Sequence, residues 1–123
     1  MPTIVHFDIA ADEPGRAKIF YESLFGWKME SPPGFTDYYL IETKGLNGEM
    51  GVGGGLGKRG DPGQRITSYI GVSSVDEYTA KVAELGGTVV QAKMPVPGWG
   101  YLSMCLDTEG NMFGLWQEDK EAK

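Results

Sequence analysis

Apolar and polar positions alternate from Thr3 to Ile9, with Val5, Phe7 and Ile9 on one side and Ile4, His6 and Asp8 on the other, which predicts a half-buried strand. A helix is predicted next: Asp12 is placed to cap it, Pro14 suits its first turn, and Ala17, Phe20, Tyr21 and Leu24 recur at helical spacing until Gly26. Three short strand-like runs follow, Trp27 to Glu30, Tyr38 to Thr43 and Glu49 to Val52, punctuated by Pro32-Pro33-Gly34 and by the stretch from Gly45 to Gly48. From Gly53 to Gly63 the only apolar side chain apart from proline is Leu56, and periodicity is lost, so a linker is predicted there.

The pattern then begins again. Ile66 to Ser73 alternates as a strand. Ser74 is placed to cap a helix in which Val75, Tyr78, Val82 and Leu85 share a face, and Gly86-Gly87 ends it. Thr88 to Lys93, Tyr101 to Leu106 and Met112 to Trp116 supply three more strands. Shifting the chain on itself by about 61 to 63 residues pairs His6 with Thr67, Gly26 with Gly87 and Gly51 with Gly114, a structural repeat of low identity. The predicted fold class is α+β, a single domain made of two tandem βαβββ modules, at about residues 1–54 and 65–119.

Each such module covers one sheet face with its helix and leaves the other bare. Two modules sharing their bare faces are expected to form a curved eight-stranded mixed sheet around a cup, a concave surface of the kind that holds small molecules. Pleat parity then assigns the lining. His6 and Asp8 point into the cup, as do Thr67 and Tyr69. Tyr101, Ser103 and Cys105 are expected to line it too, opposite a core-facing Leu102, Met104 and Leu106. Phe113, Leu115 and Gln117 share the lining face of the last strand, and the repeat offset makes Met50, Val52 and Gly54 their counterparts.

Composition narrows the range of partners. The chain has 123 residues, 41% of them hydrophobic, enough for one core without staples. A net charge of −6 with no basic run offers no attraction to nucleic acid or to an anionic membrane surface. No apolar stretch approaches the ~20 residues of a spanning helix. The single Cys105 precludes an internal disulfide, and a cytoplasmic location is expected.

Two motifs carry a resemblance. The stretch from His6 to Trp27, with Phe20-Tyr21 and Phe25-Gly26-Trp27, and the closing run Asp107-Thr108-Glu109-Gly110-Asn111 leading into Met112-Phe113-Gly114-Leu115-Trp116-Gln117, resemble glyoxalase and bleomycin-resistance proteins of the vicinal oxygen chelate superfamily. The resemblance spans nearly the whole chain. It implies the fold already read from the pattern, and it implies a homodimer.

In metal-using members each module gives a His or Gln from its first strand and a Glu from its fourth to one divalent ion. On that pattern His6 stands at the first ligand position, Thr67 replaces the second, Gly54 or a neighbouring glycine replaces the first Glu, and Gln117 stands where the second Glu is expected. One imidazole and one amide oxygen without a carboxylate make a weak dication site, with Asp8 the one nearby carboxylate.

The run Gly53-Gly54-Gly55-Leu56-Gly57-Lys58 has the glycines of a phosphate loop but no following Ser or Thr and no following helix. Two functional readings stay open. In one, the cup binds a small organic molecule without a tightly held metal, through His6, Asp8, Thr67, Tyr69, Tyr101, Ser103, Phe113 and Gln117. In the other, a divalent metal held by His6 and Gln117 serves a lyase, isomerase or dioxygenase, with His6 the foremost catalytic candidate. A third, a pure interaction module, predicts a shallow surface.

Overall fold

The structure, a computed structural model, describes all 123 residues. Its elements run β1 (Thr3–Ala11), α1 (Pro14–Phe25), β2 (Lys28–Glu30), β3 (Tyr38–Glu42), β4 (Gly53–Lys58), β5 (Ile66–Gly71), α2 (Val75–Glu84), β6 (Thr88–Val96), β7 (Gly100–Leu106) and β8 (Met112–Glu118). Eight strands and two helices give an α+β fold of two βαβββ modules. The chain divides into two compact units, one of His6–Thr67 and one of Ser68–Lys123 with Met1–Val5.

In the first unit the strands lie in the order β2-β3-β4-β1. β1 runs parallel to β4 with Asp8 opposite Gly55 and Ile9 opposite Leu56; β3 is antiparallel to β4, with Leu40 opposite Gly55. The core is Ile9, Ala11, Met29, Ile41 and Leu56, with Phe7, Ala17, Tyr21, Trp27 and Tyr39 packed around it. Leu56 is wholly enclosed.

The glycine-rich run expected to be a linker is therefore an inner strand of this unit, β4, paired on both sides. Glu49 to Val52, expected as that strand, forms only an isolated bridge between Lys44 and Met50. The physical reason lies in what crowds β4. A Cβ on Gly54 would collide with the Phe7 carbonyl and stand 3.0 Å from its ring, and one on Gly57 would stand 3.2 Å from the Tyr38 ring. Side chains there are excluded by neighbours on both faces, so alternation disappears while the ladder persists.

Helix α1 begins at Pro14, with Glu13 as its N-cap and no side-chain cap bond; the expected cap, Asp12, instead accepts from Arg59 Nε at 2.9 Å. Gly26 closes the helix at φ 72, its amide bonded to the Glu22 carbonyl. Only a narrow stripe packs down: Tyr21 stacks on Trp27 with centroids 5.3 Å apart, while Phe20 and Leu24, expected in the core, are exposed.

The second unit repeats the plan with strands in the order β5-β8-β7-β6. Tyr69 lies opposite Gly114 and Ile70 opposite Leu115 on the parallel pair β5 and β8. Val75, Cys105 and Leu115 form the core, joined by Ile70, Val72, Tyr78, Val82, Val89, Tyr101 and Phe113. Ser74 caps α2 as expected, accepting from the Glu77 amide at 3.1 Å. The closing turn is held by Asp107, whose carboxylate accepts from the amides of Glu109 and Asn111 and from Asn111 Nδ2. These bonds to the charged form hold its pKa below the usual aspartate value. No helix is long and apolar enough to cross a membrane.

Candidate functional site

Ile9, Leu56, Ile41 and Met29 fill the space under α1, so the alternate residues of the first unit share the opposite face. On β1 these are His6 and Asp8, as the alternation predicts. Beside them β4 offers only Gly53, Gly55 and Gly57, and β3 offers Tyr38 and Leu40. His6 Nε2 and Asp8 Oδ1 are 2.9 Å apart, with each side chain about one-third exposed (34% and 39%).

Tyr38 completes a cluster with these two, and nothing in the periodicity singles it out. Asp37 takes a left-handed conformation, φ 55, immediately before β3, and Tyr38 then lies flat along β4. Its ring covers Gly57, and its hydroxyl reaches Gly55, where a Cβ would overlap the Tyr38 Oη and stand 2.8 Å from Asp8 Oδ1. Phenol and carboxylate thus converge over one glycine. Burial, and secondarily the charge of Asp8, push the Tyr38 pKa above the usual tyrosine value, which keeps the group a protonated donor. Phe35 flanks the ring at 5.8 Å.

The second unit reverses two expected strand faces. Tyr101 pairs with Gln117, Ser103 with Leu115 and Cys105 with Phe113, and this is the set that meets α2. Leu102, Met104 and Leu106, expected in the core, pair with Trp116, Gly114 and Met112 on the other face. Leu102, Met104 and Leu106 are the more hydrophobic set, so hydrophobicity points to the wrong face of β7; size decides. Helix α2 packs close to β7, where Ser103 and Cys105 are fully buried and Ser103 donates to the Gln91 carbonyl at 2.6 Å, across an irregularity of β6. Burial pushes the Cys105 thiol pKa up, opposite to what a nucleophile needs.

Gln117 is engaged on that same face, its Oε1 accepting from the Val75 amide at 2.9 Å and satisfying the first turn of α2. Tyr69 keeps its expected side and lies over Gly114, where a Cβ would overlap the ring. Thr67 has the same parity as Tyr69, two residues along β5. Of the eight expected lining residues, His6, Asp8, Thr67 and Tyr69 hold the expected face, whereas Tyr101, Ser103, Phe113 and Gln117 face a helix.

This arrangement tests the donor set implied for a metal. A fourth-strand donor must project from the face that carries His6 or its counterpart. In β4 that face holds glycines alone, and in β8 it holds Met112, Gly114 and Trp116 before the exposed terminal Glu118. Gln117 is turned to α2, and no three His, Cys, Asp or Glu side chains gather anywhere in the chain. The residues present do not fit a divalent ion held in the family manner.

Two surface depressions of about 390 and 400 Å³ lie away from these groups. One, between α2 and β6, is bridged by Lys93, 3.0 Å from Asp76 and 4.5 Å from the Tyr101 ring centroid. The other, beside Arg59 and Arg65, is closed on itself: Arg59 bonds Asp12 and the Gln64 carbonyl, and Gln64 Oε1 accepts from the amides of Gly60 and Asp61. With those amides taken by its own side chain, the loop is no phosphate cradle. Neither depression is a better candidate than the His6, Asp8 and Tyr38 cluster.

Comparison with known proteins identifies the class. The profile of the Glyoxalase-like domain family matches residues 4–116, and the chain belongs to that family. Among curated proteins it is 32% identical over 118 residues to "Putative glyoxylase CFP32" of Mycobacterium tuberculosis and of Mycobacterium bovis. The match takes in 92% of this chain but 44% of the relatives, so the chain spans less than half of their length.

Among solved structures, a glyoxalase/bleomycin resistance protein/dioxygenase superfamily member from Vibrio splendidus superposes with a TM-score of 0.68 at 13% identity, covering 97% of this chain and all of that one. A methylmalonyl-CoA epimerase from Streptomyces coelicolor, in complex with 2-nitronate-propionyl-CoA, gives 0.66 at 17% identity, covering 98% and 97%. These likenesses establish the vicinal oxygen chelate fold.

Proposed function

We propose that this glyoxalase-like protein binds a small organic molecule on the sheet face that carries His6, Asp8 and Tyr38, and does so without a tightly bound metal. One observation carries the reading: the fourth-strand positions on that side are glycines, and in the first unit the space they leave is filled by a phenol brought towards the Asp8 carboxylate, which His6 Nε2 meets at 2.9 Å. Glycine at Gly55 removes a donor and admits Tyr38 at the same time. The cluster is suited to orienting a polar group of a ligand whose remainder rests on apolar surface such as Leu40 and Phe35.

The test is a thermal-shift screen of small organic molecules run with and without chelator. Hits whose stabilisation survives chelator and is lost in Asp8→Ala support the reading. Hits that need added metal contradict it.

The name of the mycobacterial relatives supports a second reading, an enzyme of the glyoxalase kind. In such an enzyme His6, oriented by the Asp8 carboxylate, would act on the ligand as a base. Turnover of a dicarbonyl or α-hydroxy-carbonyl by the chelated protein, abolished in His6→Ala, would establish it.

A further inference from the structure

On the face of the first unit that carries His6, the floor along β4 is a strip of bare backbone. Gly53, Gly55 and Gly57 alternate on that side, and at a rise of about 3.3 Å per residue the strip runs about 13 Å. A Cβ at Gly53 would meet only the Ile41 carbonyl, whereas one at Gly57 would meet only the Tyr38 ring. Tyr38 therefore fills the end of the strip from Gly55 to Gly57 and leaves the Gly53 end open. Glycine inside a strand gives up side-chain packing and marks a place where another group approaches the backbone closely. Here the protein supplies that group itself, and it is a flat aromatic ring.

The attachment of the ring is suited to release. Tyr38 is the first residue of β3, and Asp37 before it stands at φ 55, a left-handed conformation that a residue other than glycine keeps only where its surroundings hold it. The Tyr38 side chain is half-buried rather than enclosed. Phe35, itself exposed, lies 5.8 Å from the ring and offers apolar surface to a phenol that has left the strip.

We infer that Tyr38 is an intramolecular occupant of a slot for a flat aromatic ring, and that a ligand of this class binds by displacing it. This rests on the reading that the face binds an organic molecule. The ligand class follows from the group displaced and from the floor, since a planar ring lies flush on glycines and a puckered one does not. Apparent affinity is then lowered by the small fraction of molecules in which the slot stands open.

The experiment is a protein-observed NMR titration with p-cresol, the tyrosine side chain as a free molecule, and with 4-methylcyclohexanol, its puckered counterpart. It is run on the native chain, on Tyr38→Ala, and on Tyr38→Ala combined with Gly57→Val, whose added side chain refills the slot and suits a strand. With p-cresol the Gly53–Gly57 amides of Tyr38→Ala should show saturable shifts, at an affinity at least about tenfold above that of the native chain, whose open form is a minor species. The double variant should lose this gain, and 4-methylcyclohexanol should bind more weakly than p-cresol. In the native chain, saturating p-cresol should move the Tyr38 ring resonances and the Asp37 amide together with the glycine amides, a readout of displacement that needs no substitution.

No gain in Tyr38→Ala, undiminished binding in the double variant, or Tyr38 resonances that stay fixed while the glycine amides shift would each overturn displacement. Equal affinity for the two probes would overturn the flat-ring class, and silent glycine amides in every chain would overturn the slot. Equal p-cresol affinity with and without Tyr38 at these amides would leave small-molecule binding standing and remove only the displacement. Organic binding that appears only after metal loading would remove the underlying reading itself.

Discussion

Asp8 and Gly55 occupy on β1 and β4 the place that Tyr69 and Gly114 occupy on β5 and β8. One residue further, Ile9 against Leu56 in the first unit corresponds to Ile70 against Leu115 in the second, and both leucines are buried beneath their helices. Each unit also lays a tyrosine ring near its glycine. In the first the ring is Tyr38, from the neighbouring β3, so the first-strand position stays a carboxylate. In the second it is Tyr69, from the first strand of that module, and the pairing is apolar. The repeat therefore preserves the packing under the helix and varies the other face, which carries the candidate site.

The deepest shared feature should give the largest effects. Leu56→Ala and Leu115→Ala are each expected to cost about 2–5 kcal/mol in denaturant unfolding, since both empty a closed core. A clear inequality, with one near zero, would break the equivalence of the two units.

Adding a methyl at the paired glycines comes next and separates the units. Gly114→Ala drives into Tyr69 ring carbons and is expected to cost about 1–3 kcal/mol. Gly55→Ala meets chiefly the hydroxyl end of Tyr38, which can swing away, so its cost should be smaller, while ligand binding at the cluster is lost. Parallel denaturation and ligand titrations of the two variants check this.

Helix ends differ too. Gln117→Ala and Ser74→Ala each remove an acceptor from the first turn of α2 and should cost about 1 kcal/mol. Glu13→Ala at α1, where no side-chain cap exists, should fall within about 0.5 kcal/mol of the parent. If Gln117→Ala altered ligand binding while leaving stability unchanged, the assignment of Gln117 to α2 would be wrong.

The smallest effect concerns pH. Asp107 has its folded pKa depressed by the bonds it accepts, so its contribution is present above the unfolded aspartate pKa and is lost as pH falls through the folded value. Acid titration of unfolding should show a shallower loss of stability in that window for Asp107→Asn than for the parent chain.

Much of the fold was legible from the sequence because its signals are local. Alternation from Thr3 onward, the Ser74 cap and the closing turn around Asp107 are each written in a few adjacent residues, and the structure contains all three. β4 was not, because a strand crowded by Phe7 and Tyr38 must be glycine, and glycine reads as a loop. The faces of β7 and β8 were not, because Leu102 and Met104 are more hydrophobic than Ser103 and Cys105, yet the close approach of α2 selects the smaller pair.

Of the candidate site, His6 and Asp8 followed from parity. Tyr38 could not, since its role depends on lying across glycines about twenty residues away in the chain, a relation that only the pairing of β3 with β4 creates. Gln117 was drawn to the site by its place near the family's closing strand, and one residue of parity put it against α2 instead.

Metal stoichiometry and affinity test the central claim most directly. Elemental analysis of the purified protein, followed by calorimetric titration of nickel, zinc, cobalt and manganese into the chelated chain, should find no stoichiometric ion and no tight uptake, with small-molecule binding unchanged by chelator. Tight uptake of one ion per chain, abolished by His6→Ala, would contradict the account.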